Sequence, residues 1–224
     1  MTPDPDIALP KGERTRRKIL TATLEIVARK GVNGVTHRAV ARRAGVSLST
    51  TTYHFDNLED MLVKAWDMIE TVWADKLEET LHAFIQRVDT SGLSPTSSLA
   101  FREGLRDELA YLAIHYLHNP TPDRRIRLMA EMRFTYEAGH LVELQERMDT
   151  YRNAVIARLR VLPEKAGSET PDLDASILFD AVQTMQFRAL THPIEAHRHY
   201  LLARVRRYLG WFLNCQAPVI ANPN

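Results

Sequence analysis

Hydrophobic residues recur at intervals of three and four along most of the chain, which is the spacing of one face of an α-helix. In the first such segment, residues 15–30, Ile19, Ile26 and Val27 recur at helical spacing and Gly31 follows as a C-terminal cap. We find no segment of useful length that alternates between apolar and polar residues as a half-buried strand would. The pattern therefore predicts an all-α protein.

Two short helices joined by a three-residue turn are predicted next. Thr36 is a suitable N-cap for a helix over residues 37–44. Gly45 tolerates the positive φ that a sharp turn needs, and Ser47 can cap a further helix from about Leu48 to His54. Two short helices with a glycine-containing turn between them make a helix-turn-helix.

A longer set of helices is predicted after residue 57. An apolar stripe from residue 58 to residue 88 predicts one long helix, with a break near residue 75 as an alternative. Further helices are predicted at about 98–118, 122–138, 140–162, 173–191 and 194–214. The prediction is thus about nine helices in four segments: a flexible arm (1–11), a helix-turn-helix domain (12–56), a larger helical domain (57–216) and a tail (217–224).

Charge is distributed unevenly along the chain, although its formal net value is only +1. Ten Lys and Arg stand against two acids between Lys11 and Phe55, a balance of +8, which leaves −7 for the remainder. A basic amino-terminal segment on an acidic body is typical of a module that meets a polyanion, although a solvated basic face is the alternative. The chain has one cysteine and no run of about 18 apolar residues, so we expect a cytoplasmic protein with no membrane partner.

Hydroxyl side chains are concentrated in residues 47–53, SLSTTTY, where a helix is expected. Serine and threonine are poor helix formers, so something other than local stability favours them there. Small hydroxyl side chains let a helix lie deep in the major groove and can exchange hydrogen bonds with bases and phosphates. Within the basic segment, and directly after the turn, this stretch is interpreted as a recognition helix rather than an exposed turn.

Residues 13–63 resemble the amino-terminal DNA-binding domain of the TetR family of bacterial transcriptional regulators. The resemblance is carried by an Arg-rich first helix, by "ARRAGVS" at the turn, by "YHF" closing the third helix and by "LEDML" opening the fourth. It implies a regulator, expected to be a repressor, that binds a palindromic operator as a homodimer and is released by a small molecule. The helix-turn-helix domain (12–56) would bind DNA, and the larger domain (57–216) would bind the effector and dimerise. The family's usual tyrosine and lysine phosphate contacts fall on Thr52 and Leu58 here, so neither is carried over.

The DNA contacts that the resemblance implies fall on the second and third helices. Backbone N–H groups at the start of the second helix favour phosphate. Arg16 can reach a neighbouring phosphate or the minor groove, and a solvated side chain is the alternative. The candidate DNA-binding residues are Arg16, Thr36, His37, Arg38, Leu48, Ser49, Thr50, Tyr53 and His54.

The last two long helices offer a candidate dimer surface, as the resemblance also implies. Each carries an apolar arc together with aromatic residues outside it, so that one face can serve the chain's own core and the other a partner. The alternative is a helix buried on all sides within one chain. The candidate interface residues are Phe179, Phe187, Tyr200 and Trp211.

Polar residues that interrupt apolar arcs predict a ligand site among the later helices. A mostly apolar pocket with a few polar anchors is typical of small-molecule sites. The alternative is that these residues pair at the edge of the core, since Arg133 and Glu137 are spaced as an i,i+4 ion pair. The candidate ligand-binding residues are Arg102, Arg133, Glu137, Arg152 and Gln183.

Two other classes of function were weighed. His192, His197 and His199 surround Glu195, but residues 197 and 199 of a helix point away from each other, and no phosphate loop or catalytic motif occurs. An enzyme, a metal site and a cofactor are therefore not expected. A DNA-binding architectural or cell-division factor without an inducer stays open as the alternative.

Overall fold

The computed structural model describes residues 10–94, 96–118, 122–191 and 194–215. Their secondary structure is helical, with no strand among them, which confirms the predicted all-α fold. Ten α-helices are present in these residues: α1 Lys11–Lys30, α2 His37–Ala44, α3 Leu48–His54, α4 Leu58–Ser91, α5 Leu99–His118, α6 Pro122–Glu137, α7 Val142–Leu159, α8 Val161–Ala166, α9 Pro171–Thr191 and α10 Ile194–Phe212. The residues predicted as the tail, and residues 1–9 of the predicted arm, lie outside the described ones.

Local capping chemistry explains where several helices begin and end. α1 ends at Gly31, whose φ of 78° and ψ of 176° suit glycine, and a 3-10 turn over Val32–Gly34 follows. α4 begins after Asn57, whose Oδ1 accepts a hydrogen bond from the Asp60 N–H at 2.8 Å. The predicted cap at Gly31 is confirmed.

The later helices largely follow the sequence prediction, with one difference. α4 is one helix of 34 residues, as predicted, without the break considered as the alternative near residue 75. The helix predicted to run to residue 162 ends at Leu159, and the short α8 occupies residues that we expected to begin a loop. α8 ends at Gly167, which adopts the left-handed conformation.

The chain divides into two compact units, each made of two segments that are not consecutive in the sequence. The first, which we call the head unit, is Met1–Trp73 with Pro122–Thr150, and the second, which we call the body unit, is Ala74–Thr121 with Tyr151–Asn224. By packing, the helix-turn-helix therefore groups with the start of α4, with α6 and with the start of α7. The predicted boundary after residue 56, between the helix-turn-helix domain and the larger domain, stays a prediction.

Each unit has its own core. In the head unit α1 packs against α2 and α6, and Trp66 meets Phe134 edge-on with ring centroids 5.7 Å apart. In the body unit α5 packs against α10 and α8 against α9 around buried residues such as Leu109 and Leu209. Burial of these apolar side chains supplies most of the stability of each unit.

Candidate nucleic-acid interface

Two hydroxyl caps fix the geometry of the helix-turn-helix. Thr36 Oγ1 accepts a hydrogen bond from the Ala39 N–H at 3.1 Å, and Ser47 Oγ accepts one from the Thr50 N–H at 3.1 Å. Between them Gly45 adopts the left-handed conformation, with φ 67° and ψ 36°. The predicted caps and turn are confirmed, and they set the angle at which α3 leaves α2.

Several hydroxyls of the 47–53 stretch bond to one another or to the backbone of α3. Ser47 Oγ lies 2.8 Å from Ser49 Oγ and 2.7 Å from Thr50 Oγ1. Thr52 Oγ1 donates to the Ser49 carbonyl oxygen at 3.1 Å. Some of these hydroxyl groups therefore stabilise α3, a seven-residue helix of poor intrinsic propensity.

Thr51 points into the protein. It is fully buried, its Oγ1 donates to the Leu48 carbonyl oxygen at 2.7 Å, and the same oxygen lies 3.3 Å from His37 Nδ1. A buried hydroxyl is stabilising only when its hydrogen bonds are satisfied. The contact between Thr51 and His37 thus joins α3 to the first residue of α2, and it fixes the position of the half-buried His37 side chain.

The exposed face of α3 is formed by Leu48, Ser49, Thr52 and Tyr53. At the pitch of an α-helix they span an arc of about 140°. Tyr53 is 85% exposed, whereas Thr50 and His54 lie half-buried on the other side of the helix. The arc includes Thr52, which sequence reasoning set aside, because helical spacing places Thr52 outward once the structure shows Thr51 to be the inward residue.

The candidate contact residues outside α3 lie on α1 and at the start of α2. Thr36 and the guanidinium of Arg38 are exposed at the start of α2. Arg16 is half-buried on α1, lies over the Phe55 ring at 5.7 Å from its centroid and is 3.8 Å from Glu13. The aromatic contact holds Arg16 beside Phe55, the first residue after α3.

Arg133 and Glu137, two of the candidate ligand residues, form an ion pair on α6 that also reaches the 3-10 turn after α1. Arg133 Nη1 lies 2.5 Å from Glu137 Oε1, and the Val32 N–H donates to Glu137 Oε2 at 2.9 Å. Burial acts to raise the pKa of Glu137, but the hydrogen bonds from Arg133 and Val32 outweigh it, so the pKa lies below its ordinary value. A Cβ on Gly31 would stand 2.1 Å from Glu137 Oε2, so only glycine admits the carboxylate here.

The other three candidate ligand residues lie in the body unit. Arg102 donates to the carbonyl oxygens of Ser97 and Leu213 at 3.1 Å each. Arg152 Nη2 lies 2.8 Å from Asp180 Oδ1. Gln183 is half-buried on α9. The five residues are therefore divided between two units, and the predicted single cluster of anchors is not assembled within either one.

Arg102 borders a cavity of about 270 Å³ in the body unit. Its wall includes Ser168 and Asp174, which are hydrogen-bonded to each other, and the indole of Trp211. The cavity has a polar rim but contains no other candidate ligand residue.

The candidate dimer residues differ in exposure. Phe179 is buried within its own chain at 9% exposure, beneath the guanidinium of Arg152 at 5.1 Å. Phe187 is half-buried, Tyr200 is exposed, and Trp211 is 63% exposed although its ring stacks on that of Phe212.

Within the described residues, no group of three or more His, Cys, Asp or Glu side chains is placed to hold a metal ion. Side chains of residues 191–197, which include two of the three histidines weighed above, lie outside the description. Among the same described residues, no helix combines the length and apolarity needed to cross a bilayer.

Comparison with known proteins agrees with this geometry. Residues 19–65 match the family model described as bacterial regulatory proteins, tetR family. The HTH-type transcriptional regulator PksA of Bacillus subtilis is 25% identical over 67 residues, which are 30% of this chain and 33% of that protein. The chain thus matches only about a third of the length of this curated relative.

Solved structures resemble the chain over nearly its whole length. A transcriptional regulator from Rhodococcus sp. Rha1 is 20% identical with a TM-score of 0.65, covering 92% of this chain and 99% of that one. The multidrug binding protein EbrR, complexed with imidazole, is 22% identical with a TM-score of 0.57, covering 92% and 97%. NalD, the secondary repressor of the MexAB-OprM multidrug efflux pump in Pseudomonas aeruginosa, is 17% identical with a TM-score of 0.58, covering 89% and 97%. At these identities the likeness shows the fold.

Proposed function

Because the amino-terminal domain of this chain belongs to the TetR family of bacterial regulatory proteins, we propose that the protein is a DNA-binding transcriptional regulator, acting as a repressor. The observation that carries the proposal is the exposed arc of α3, which presents Ser49 and Tyr53 to solvent beside the exposed Arg38. Such a regulator works where the chromosome is, so we place it in the cytoplasm.

In the proposed complex α3 lies in the major groove. Ser49 and Tyr53 exchange hydrogen bonds with base edges or nearby phosphates, while Leu48 offers an apolar contact. Thr50 and His54 lie half-buried on the other side of α3, so we leave these two candidates out of the base contact. The start of α2, with Thr36, His37 and Arg38, meets the phosphate backbone, and Arg16 meets an adjacent phosphate or the minor groove. We add Thr52 to this set because it lies in the middle of the exposed arc.

We propose that two copies bind a palindromic operator, since one helix-turn-helix contacts only a few base pairs. The exposed aromatic residues Tyr200 and Trp211 on α10 support a partner surface there, because large exposed aromatics are enriched at interfaces. Phe187 on α9 is half-buried, and we place it at the edge of this surface. Phe179 is buried in its own chain, so we place it in the protomer core rather than at the contact.

A small molecule is proposed to release the operator. The fold shared with a multidrug binding protein and with an efflux-pump repressor supports this regulation. Of the candidate ligand residues, Arg133 and Glu137 are joined to the helix-turn-helix through the Val32 N–H, so an effector that displaces them would disturb the turn before α2. Any effector changes operator affinity only by its differential affinity for the two states.

Selection of genomic fragments by the purified full-length chain, followed by fluorescence anisotropy, tests the DNA-binding proposal. We expect a preferred site with two-fold symmetry, bound by a dimer, with affinity that falls steeply as salt is raised. Many scattered sites without a common sequence would favour the architectural alternative. A monomer with no preferred duplex would contradict the proposal.

A matched pair of tyrosine variants assigns the contact to α3. Tyr53→Ala should weaken binding to the preferred site by about 10- to 100-fold, the loss expected for one specific base contact. Tyr111→Ala removes a tyrosine of similar exposure, 62%, from α5 and should leave the affinity unchanged. Equal effects of the two variants would argue against recognition by α3.

For the effector, a gel-shift series in which no small molecule alters affinity would count against ligand release.

A further inference from the structure

A basic groove lies between α1 and α2 on the head unit, outside the residues proposed above to contact DNA. Its volume is about 330 Å³. The floor includes the apolar Ile26 and Ala39, and the walls carry four cationic side chains. These are Arg29 and Lys30 from α1 and Arg42 and Arg43 from α2.

Only one of the four cations is neutralised within the described chain. Glu25, the acid in the groove, forms an ion pair and hydrogen bond with Arg43. Arg29, Lys30 and Arg42 are exposed and form no ion pair among the described residues. The groove thus keeps three uncompensated positive charges, which repel one another and attract an anion.

The helix dipole explains part of this arrangement but not the convergence. All four cations lie in the last turn of their helix, where a positive charge is favoured by about 0.3–1 kcal/mol. That preference acts on each helix separately. It does not require the last turns of two helices to line one groove with a single acid between them.

The groove is continuous with the proposed DNA-contacting surface. Arg38 and Arg42 are four residues apart on α2, so they lie on one side of that helix, and both are exposed. Arg38 follows Thr36 and His37, which we place against phosphate. The positive strip therefore runs from the start of α2 into the groove, which matches a row of phosphates on a duplex.

We propose that this groove is a second docking surface for duplex DNA, in which Arg29, Lys30 and Arg42 hold the sugar-phosphate backbone that flanks the bases contacted by α3. The proposal rests on the DNA-binding function above. The groove adds affinity without sequence preference, because phosphate contacts carry no sequence information. Each phosphate contact also steepens the salt dependence of binding by about 0.9 in the slope of log affinity against log salt.

Full-length protein and two lengths of duplex test the groove. One duplex ends at the preferred site, and the other extends it by about one helical turn, ~10 base pairs, on each side. The proteins are the natural chain, the charge-removing variant R29Q/K30Q/R42Q and the charge-keeping variant R29K/R42K. Affinity for each duplex, and for a scrambled one, is measured by anisotropy across a salt series.

We expect the natural chain to bind the extended duplex more tightly and with a steeper salt slope than the short one. The glutamine variant should lose this gain, with a slope shallower by about 1 for each phosphate contact removed, and should still prefer the site over the scrambled duplex. The lysine variant should keep the gain. Circular dichroism checks that the variants remain folded.

Three results would overturn the proposal: no gain from extension in the natural chain, an unchanged slope in the glutamine variant, or an equal loss in the lysine variant. Each leaves the DNA-binding function standing as long as the natural chain prefers its site. If the natural chain shows no preference for the site over the scrambled duplex, the DNA-binding function itself fails.

Discussion

Replacing Gly31 by alanine should expose the energetic link between α6 and the turn that precedes α2. The substitution has two separable effects. With φ 78° and ψ 176°, the backbone lies in a region that is essentially restricted to glycine, and an L-residue there costs about 1–3 kcal/mol. The new Cβ would also stand 2.1 Å from Glu137 Oε2, so the carboxylate must leave the Val32 N–H.

The second effect is the cost of an unsatisfied backbone donor. Val32 is buried, and a buried N–H that loses its partner costs about 1–3 kcal/mol. Gly31→Ala should therefore lower the free energy of unfolding by about 2–6 kcal/mol, and Glu137→Ala by about 1–3 kcal/mol. The double variant loses the hydrogen bond only once, so its cost should fall short of the sum by about 1–3 kcal/mol.

Urea denaturation at a fixed protein concentration measures these free energies. Hydrogen exchange of the Val32 amide adds a local measurement, and the exchange should accelerate in each single variant. Gly45→Ala is the matched control, because Gly45 also has a positive φ but a Cβ there would meet no atom within 4 Å. Its cost of about 1–2 kcal/mol should add to that of Glu137→Ala.

Additivity of the Gly31 and Glu137 substitutions within about 0.5 kcal/mol would refute the shared contact, since independent sites add to that precision. A Val32 amide that exchanges at the natural rate after Glu137→Ala would refute it as well.

Three further predictions concern the head unit. Thr51→Val should lower the free energy of unfolding by about 1–2 kcal/mol, because it deletes a buried hydroxyl whose hydrogen bonds are satisfied, and an unchanged urea midpoint would contradict this. Asn57→Ala should cost about 0.5–2 kcal/mol by removing the side-chain acceptor for the Asp60 N–H, measured in the same way. Since the pKa of Glu137 is lowered by folding, the stabilisation due to its ionised form is fully present above the ordinary carboxyl pKa and is lost as the pH falls through the lowered value. The stability difference between the natural chain and Glu137→Gln should therefore shrink on acidification, and a difference that grows would contradict the assigned direction.

Sequence reasoning succeeded where the cause is local. Thr36 and Ser47 each cap a helix by accepting a hydrogen bond from the backbone N–H three residues later. Gly31 ends α1 because it has a positive φ that glycine tolerates. Such features depend on a few neighbouring residues, so they are visible in the order of residue types.

Sequence reasoning failed where the cause is distant or where residue types are alike. The hydrogen bond from Val32 to Glu137 joins residues 105 positions apart in the sequence. No residue pattern in either segment indicates that the two are in contact. In α3 a hydroxyl stands at almost every position, so no apolar and polar contrast marks Thr51 as the inward residue. The candidate ligand residues stay a prediction: each interrupts an apolar arc, and a charged residue paired with a neighbour interrupts an arc just as a ligand anchor does.

The division of labour within α3 has an evolutionary consequence. Thr51 and the cap at Ser47 hold the helix in place, whereas Ser49 and Tyr53 present their side chains to the outside. Exchanging an outward residue then leaves most of the folding free energy untouched, so duplicated copies of such a gene can drift toward new binding sites by single substitutions without passing through an unfolded ancestor.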